Sequence, residues 1–324
     1  MSNNTSNVCF NSTGNINIFP VCMYSFIFFV GLLFNLIALV FFFRITKSRS
    51  QTVVYMTNLA IADILLILTL PVRIYYHLGF SGLPGLLCDI LGLVLKANMY
   101  GSIFLLTCMC FDRCMAVTLP MSSRVKEWRK KAPLVCLGIW IFTFGASLPI
   151  YFSKRKTDEN TNCFDDLPVY SINPAVALSS LFVGFGIPLV IMLISSWVLV
   201  RAVRQSSVAQ TNLVDSKKIQ RMIATSLLIF LLSFLPYHVT LVVLSLNREN
   251  ITCRMHVAYR YSLIVACLNT VLDPVAYYFT TETFRKNVDI SAFRRMFPLN
   301  SQSSDLNNKD NKTKQVSTKQ LEHG

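Results

Sequence analysis

The chain has 324 residues, 53% of them hydrophobic and only 14% charged, with a formal net charge of +14. A soluble domain carries ~25% charged residues, so the composition excludes a water-soluble globular protein and points to a chain that crosses a membrane repeatedly. The positive charge sits in short segments between apolar runs, and none of these forms a basic domain, so nucleic-acid binding is excluded as well.

Met1 to Asn17 is polar and Asn-rich, with no basic start and no cleavage site, so the first apolar run is expected to remain as an anchor. Runs 21–43, 132–153, 169–200 and 222–247 hold no Asp, Glu, Lys or Arg, and runs 51–76, 90–117 and 257–281 embed only a few. Each exceeds or matches the ~20 residues that a helix needs to cross a hydrocarbon core. The expected fold is an all-α membrane protein, a seven-transmembrane-helix bundle over 20–281 after a tail at 1–19. Residues 282–297 read as a short amphipathic eighth helix, with Phe284, Val288, Ile290 and Phe293 among basic residues, lying on the membrane surface. No cysteine follows that helix, and 298–324 is polar and expected to be a disordered cytoplasmic tail.

Basic residues follow span one (Arg44, Lys47, Arg49), span three (Arg124, Lys126, Arg129, Lys130, Lys131), span five (Arg201, Arg204, Lys217, Lys218, Arg221) and span seven (Arg285, Lys286, Arg294, Arg295). By the positive-inside rule these segments are cytoplasmic, which puts the N-terminus outside a plasma-membrane protein. Glycosylation sequons at Asn3, Asn4, Asn11 and Asn250 fall on the outer side. Cys88 and Cys163 also lie on outer segments, in an oxidising compartment, and are a candidate disulfide. Cys9 and Cys253 form a second candidate pair, with Cys22 competing with Cys9 as the partner.

Polar residues inside spans are rare and mark function. Span one carries Asn35, span two Asp63 and span three Ser102 with the adjacent Asp112 and Arg113; span seven carries Asn269 and Asp273. Asp63, Ser102, Asn269 and Asp273 are oxygen-bearing groups at mid-membrane depth, suited to a hard cation or to interhelical hydrogen bonds with water. Two nearby aspartates cannot both ionise without a cation or a proton. Pro188, Pro236 and Pro274 interrupt their helices and are natural hinges. Asp112 and Arg113 lie ~36 Å along the helix from Cys88, at the inner rim. No second acid or nucleophile accompanies them, so they do not read as a catalytic pair. The four histidines, His77, His238, His256 and His323, are dispersed, which argues against a membrane hydrolase. Internal repeats and paired-glycine breaks, the marks of a transporter, are not evident, leaving a transporter or channel as a remote alternative.

Asn35, Leu59-Ala60-x-x-Asp63, Cys88, Asp112-Arg113, Trp140, Pro188, Phe234-x-Pro236 and Asp273-Pro274-x-x-Tyr277 together resemble the signature set of the rhodopsin-like, class A G-protein-coupled receptors, across all seven spans. The resemblance implies a receptor rather than an enzyme, with no cofactor beyond an allosteric sodium ion at Asp63, Ser102, Asn269 and Asp273. It further implies that Asp112 holds Arg113 at rest, that Arg113 then contacts a heterotrimeric G protein, and that Phe234, Pro236, Asp273, Pro274 and Tyr277 act in switching. Arrestin is a further partner it implies. Cys114, Phe234, Asp273 and Ser196 stand where the family commonly has Tyr, Trp, Asn and Tyr. The Phe and Asp variants are common in the branch that senses nucleotides, lysophospholipids and protease-cleaved peptides. Leu95 occupies the place of the aspartate of amine receptors, and Cys267 that of the retinal-binding lysine, which excludes both ligands.

The outer half of the bundle is basic. Arg73 stands ~15 Å outward of Asp63, and Lys96 ~12 Å inward from Cys88, at the depth of a receptor cavity. Arg260, Lys154 and Arg155 add charge, and Tyr100, Tyr237 and His238 add hydrogen-bonding groups. Clustered cations suit a phosphate or carboxylate. The apolar outer halves of spans three to five, with Gly145, Gly184 and Gly186, leave room for an acyl chain. The segments KANMYGS, CFDDL, SFLPYH and LDPVAYYF are similar to those of receptors for lysophosphatidic acid, lysophosphatidylserine and lysophosphatidylinositol. An anionic lysophospholipid-like ligand with coupling to G12/13 and Rho is therefore expected, with an extracellular nucleotide as the alternative.

Overall fold

The computed structural model describes residues 17–44, 51–80, 82–155, 163–164, 174–206 and 213–280, with backbone alone at 149–155, 203–206, 213–220, 222 and 276–280. The tail at 1–16, including Asn3, Asn4, Cys9 and Asn11, and the expected eighth helix and terminal tail lie outside these residues. All regular structure in the described residues is helical. Five helices, Ile18–Arg44, Gln51–His77, Gly85–Thr118, Pro174–Ala202 and Ile223–Leu246, are long and apolar enough to cross a membrane on their own. The fourth span, Ala132–Arg155, follows a short helix, Ser123–Lys130, bent from it by 48°. The seventh is two helices, Cys253–Cys267 and Asn269–Thr280, meeting at Leu268.

Hydrocarbon offers the backbone no hydrogen-bond partner, so the spans must be helical. Hydroxyls inside them obey the same constraint. Thr57, Thr107, Thr143 and Ser147 each donate to the carbonyl four residues earlier, at 2.7 to 2.9 Å. Large apolar side chains face outward, Phe29, Ile141 and Trp197 among them, as a lipid-facing surface requires. Span three is the hub. It packs against spans two, four, five, six and seven, and its buried face mixes apolar residues with Lys96, Asn98, Ser102 and Asp112.

The irregular turns trace to proline and small residues. Span five widens over Ser180–Gly186, immediately before Pro188, which cannot donate to the Gly184 carbonyl. Span two breaks at Leu68 and Thr69 just before Pro71, and Thr69 Oγ1 donates to the Leu66 carbonyl at 2.7 Å. Span one approaches span seven at Gly31, where a Cβ would lie 3.0 Å from Ile67 Cδ1 and 3.3 Å from Thr270 Oγ1. Span six starts earlier than its apolar run: the helix is Leu213–Leu246, so Lys217, Lys218 and Arg221 are helical rather than in a loop. No glycine or proline interrupts 213–235, so the helix continues past the apolar boundary.

Candidate functional site

Near the Cys88 end, spans three to six enclose a cavity of about 380 Å³. Lys96 and Tyr100 line it from span three, Phe142 and Ala146 from span four, Ser180 and Gly184 from span five, and Tyr237 and Leu241 from span six. Lys96 is 5% exposed. Its Nζ donates to the Tyr237 hydroxyl at 2.5 Å and lies 3.8 Å from the centre of that ring. The aromatic face and the hydroxyl replace part of the hydration that the ammonium loses. Tyr100 reaches across to span five, where its hydroxyl hydrogen-bonds Ser180. Its ring fills the space beside Gly184, where any Cβ would stand 2.5 Å from Tyr100 Cε1, so glycine admits the ring. On the opposite side, Phe142, Ala146, Ser179 and Val183 line the cavity and are themselves exposed on the outside of the bundle. The cavity therefore opens sideways, between spans four and five, onto the apolar outer face.

The other outer-half residues are placed differently. Arg73 is buried beside span three, donating through Nη2 to the Leu91 carbonyl at 3.1 Å, under the Phe164 ring at 4.6 Å. The Cys88–Cys163 disulfide, with Cα atoms 5.4 Å apart, brings Phe164 there, and Tyr76 meets the same ring edge-on at 5.2 Å. His238 packs within the core, stacked on Phe185 at 4.6 Å, with Nδ1 donating to the Phe234 carbonyl at 2.8 Å. Neither Arg73 nor His238 lines the cavity. Arg260 is half-buried on span seven, and the side chains of Lys154 and Arg155 lie outside the described residues.

At mid-bundle, Asp63, Ser102, Asn269 and Asp273 are each fully buried. Asn98 Nδ2 donates to Asp63 Oδ1 at 3.3 Å, and Asn269 Nδ2 to Asp273 Oδ2 at 3.3 Å. Asp63 Oδ2, Asp273 Oδ1, Ser102 Oγ and Asn269 Oδ1 have no protein partner. Four unpartnered oxygens, two of them carboxylate, fit a hard monovalent cation. Nearby, Asn35 ties span one to span seven by donating to the Thr270 carbonyl at 2.7 Å.

At the other end, Asp112 is joined to Arg129 rather than to its neighbour Arg113. Arg129 Nε donates to Oδ1 at 2.7 Å, and Arg129 Nη2 to Oδ2 at 3.1 Å. Thr52 Oγ1 donates to Oδ2 at 3.0 Å and accepts from Arg113 Nη2. Among the described residues Asp112 and Arg113 make no direct ion pair. Hydrogen bonding to Asp112 raises the Arg129 pKa further above its ordinary value. Cys114 packs with Leu199 of span five and Ile223 of span six, and Ser196 donates to its own helix at Met192, 2.6 Å away. Phe234, two residues before Pro236, is buried against Phe230, with ring centres 5.8 Å apart.

A family model, 7 transmembrane receptor (rhodopsin family), matches residues 34–277. The chain belongs to that family. The receptor is 31% identical over 302 residues to lysophosphatidic acid receptor 6 of Homo sapiens, covering 89% of this chain and 88% of that one. It is 33% identical to lysophosphatidic acid receptor 4 of Homo sapiens over 290 residues, 86% of this chain and 78% of that one. To cysteinyl leukotriene receptor 1 of Homo sapiens it is 36% identical over 286 residues, 84% of each chain. It is a multi-pass receptor of the plasma membrane and not an enzyme.

Of the residues that sequence singles out in the receptor, Lys96, Tyr100 and Tyr237 meet at one cavity, while Asp63, Ser102, Asn269 and Asp273 are all buried, with Asn269 hydrogen-bonded to Asp273 and Asp63 to Asn98. Cys253 is disulfide-bonded, whereas Cys22 is a free thiol. Asn250 is exposed, Asp273 and Pro274 are buried, and the Tyr277 side chain lies outside the described residues. Sequence reading passed over Asn98, Phe164, Thr52 and the partnership of Arg129. Asn98 carried a signal, being an amide one turn from Ser102. Thr52 and Arg129 carried none, because only the packing of three separate segments brings them to Asp112.

Proposed function

We propose that this receptor senses an anionic lipid with one hydrocarbon chain, of the lysophospholipid class, from the extracellular side. The observation that carries the reading is the cavity: a single buried ammonium, Lys96, with the hydroxyls of Tyr100 and Tyr237 beside it, and apolar walls that open toward the lipid-facing surface. An acidic headgroup pairs with Lys96 through charge-assisted hydrogen bonds. A hydrocarbon chain runs past Phe142 and Ala146 and stays out of water throughout. Lysophosphatidic acid and cysteinyl leukotriene, the compounds in the relatives' names, both combine an acid group with hydrocarbon. A nucleotide base needs free polar edges around it, and these walls are mostly apolar, with the hydroxyls of Thr143, Ser147 and Ser179 bonded to their own helices and that of Ser180 to Tyr100.

The Cys88 end is then extracellular, and the Asp112 end meets a heterotrimeric G protein of the G12/13 class, with arrestin a further partner there. Asp63, Ser102, Asn269 and Asp273, with Asn98 hydrogen-bonded to Asp63, would hold a sodium ion, which would supply positive charge to the two buried carboxylates. Arg113 becomes available to the G protein when Thr52, which bridges it to Asp112, releases it. Arg73, under Phe164, extends the positive field at the outer mouth, and Arg260, Lys154 and Arg155 add to it.

A Rho reporter screen against lysophospholipid and nucleotide panels, repeated with Lys96→Ala and Arg73→Ala, tests the reading. Lipids activate and nucleotides do not; Lys96→Ala abolishes the response at concentrations that saturate wild type. Activation by nucleotides alone would replace the ligand class. Unchanged potency in both variants would remove the cationic pocket.

A further inference from the structure

The short helix Ser123–Lys130 presents two unlike faces. Val125 and Arg129, one turn apart, turn inward, and Arg129 is clamped on Asp112. That clamp fixes which face turns out. The outward face carries Arg124, Trp128 and Lys131 at spacings of four and three residues, all exposed, with Lys131 Nζ 5.9 Å from the centre of the Trp128 ring. Trp128 is 74% exposed, too much for a packing residue. Lys126 and Lys130 are also exposed, and Glu127 is the one acidic residue within 122–131.

This face continues into the lipid-facing side of span four. Lys131 lies one turn before Leu134, and Leu134, Leu137 and Ile141 are exposed apolar residues that follow at helical spacing. Trp128 and its flanking cations therefore stand where the apolar surface ends. An amphipathic indole is favoured at that boundary, and basic residues beside it attract anionic headgroups.

We infer that the Arg124–Trp128–Lys131 face is a binding surface for anionic phospholipid headgroups of the bilayer. The inference rests on the membrane-receptor reading but not on the identity of the agonist. The occupant is lipid rather than protein because the face is continuous with the lipid-facing stripe and its charge is almost all of one sign.

The test uses purified full-length receptor in nanodiscs doped with phospholipid brominated in the acyl chain near the headgroup, in phosphatidylserine and phosphatidylcholine versions. Tryptophan fluorescence is read without agonist, so failure of the ligand assignment cannot affect it. Brominated phosphatidylserine is expected to quench at a mole fraction at least fivefold lower than brominated phosphatidylcholine, about fivefold being the enrichment that each of the surface cations Arg124 and Lys131 produces. All variants carry Trp197→Phe, because Arg201 stands 5.5 Å from the centre of that exposed ring; Trp128→Phe then removes the difference, leaving a headgroup-independent background from Trp140. Arg124→Gln with Lys131→Gln brings the phosphatidylserine curve to the phosphatidylcholine one while Trp128 remains. Equal quenching by both lipids in wild type, or a headgroup dependence that survives Trp128→Phe, overturns the proposal. So does a Trp128 signal blind to bromolipid that responds only to added G protein, which would assign the face to a protein partner.

Discussion

The two ends of the bundle bury charge in opposite ways. At the Asp112 end both carboxylate oxygens are taken, by Arg129 and Thr52, and the side chains close on one another. At the Cys88 end Lys96 borders a cavity, and the mid-bundle aspartates each keep an oxygen without a protein partner. Charge closed on protein holds a conformation. Charge arranged around space holds something that comes and goes. If that contrast is right, substitutions at the first kind of site change stability and basal activity, and those at the second change the response to ligand or ion.

The largest effect is expected for Lys96→Ala, because truncating one partner of a buried charged contact costs ~2–5 kcal/mol. Agonist potency in a Rho or nucleotide-exchange assay should fall by about 100-fold, with basal exchange unchanged. A fall in thermal stability with potency preserved would make Lys96 a structural residue and collapse the contrast.

Gly184→Ala comes next. The new methyl drives the Tyr100 ring from its place, and overpacking of this kind costs ~1–3 kcal/mol. Potency should drop by about tenfold, and Tyr100→Phe, which keeps the ring and loses the Ser180 hydrogen bond, should lose less. Equal losses would mean that the hydroxyl matters and the close approach at Gly184 does not.

Arg129→Gln opens the clasp at its partly exposed partner, so solvent screening reduces the loss to ~1 kcal/mol. The expected outcome is higher agonist-free nucleotide exchange, by about two- to fivefold, and a melting temperature a few degrees lower. Asp112→Asn should raise basal exchange likewise. Basal activity that stays flat in both variants would place the restraint on Arg113 elsewhere.

The smallest effect is that of sodium. At about twofold excess over its dissociation constant, a bound ion stabilises by ~0.6 kcal/mol, a rise of about 1–2 °C for a chain of this size. Potassium should not reproduce the rise, and Asp63→Asn should abolish it. A rise that persists in Asp63→Asn would move the ion to another place.

The spans were legible because a helix in lipid needs ~20 residues without charge, a property of consecutive residues. Depth was legible too: a constant rise per residue turns chain position into height, which sets Lys96, Asp63 and Asp112 at three levels. Partnership was not. The reading that Asp112 holds Arg113 came from the family resemblance; consecutive residues on a helix point ~100° apart, and in this structure Asp112 meets Arg129 seventeen residues on. Arg73 shows the same limit. It reads as a cavity cation by depth, yet its guanidinium is held by the Leu91 carbonyl and Phe164.

Sequence by itself determined the membrane, the seven crossings, the level of every buried charge and, through its motifs, the family. Each of these depends on local composition or on spacing along one helix. Tertiary structure alone decided that the Lys96 cavity opens between spans four and five, that Gly184 yields its space to Tyr100, and that Arg129 closes on Asp112. Those outcomes depend on how helices rotate and approach one another, and packing sets that rotation through contacts between residues far apart in the chain.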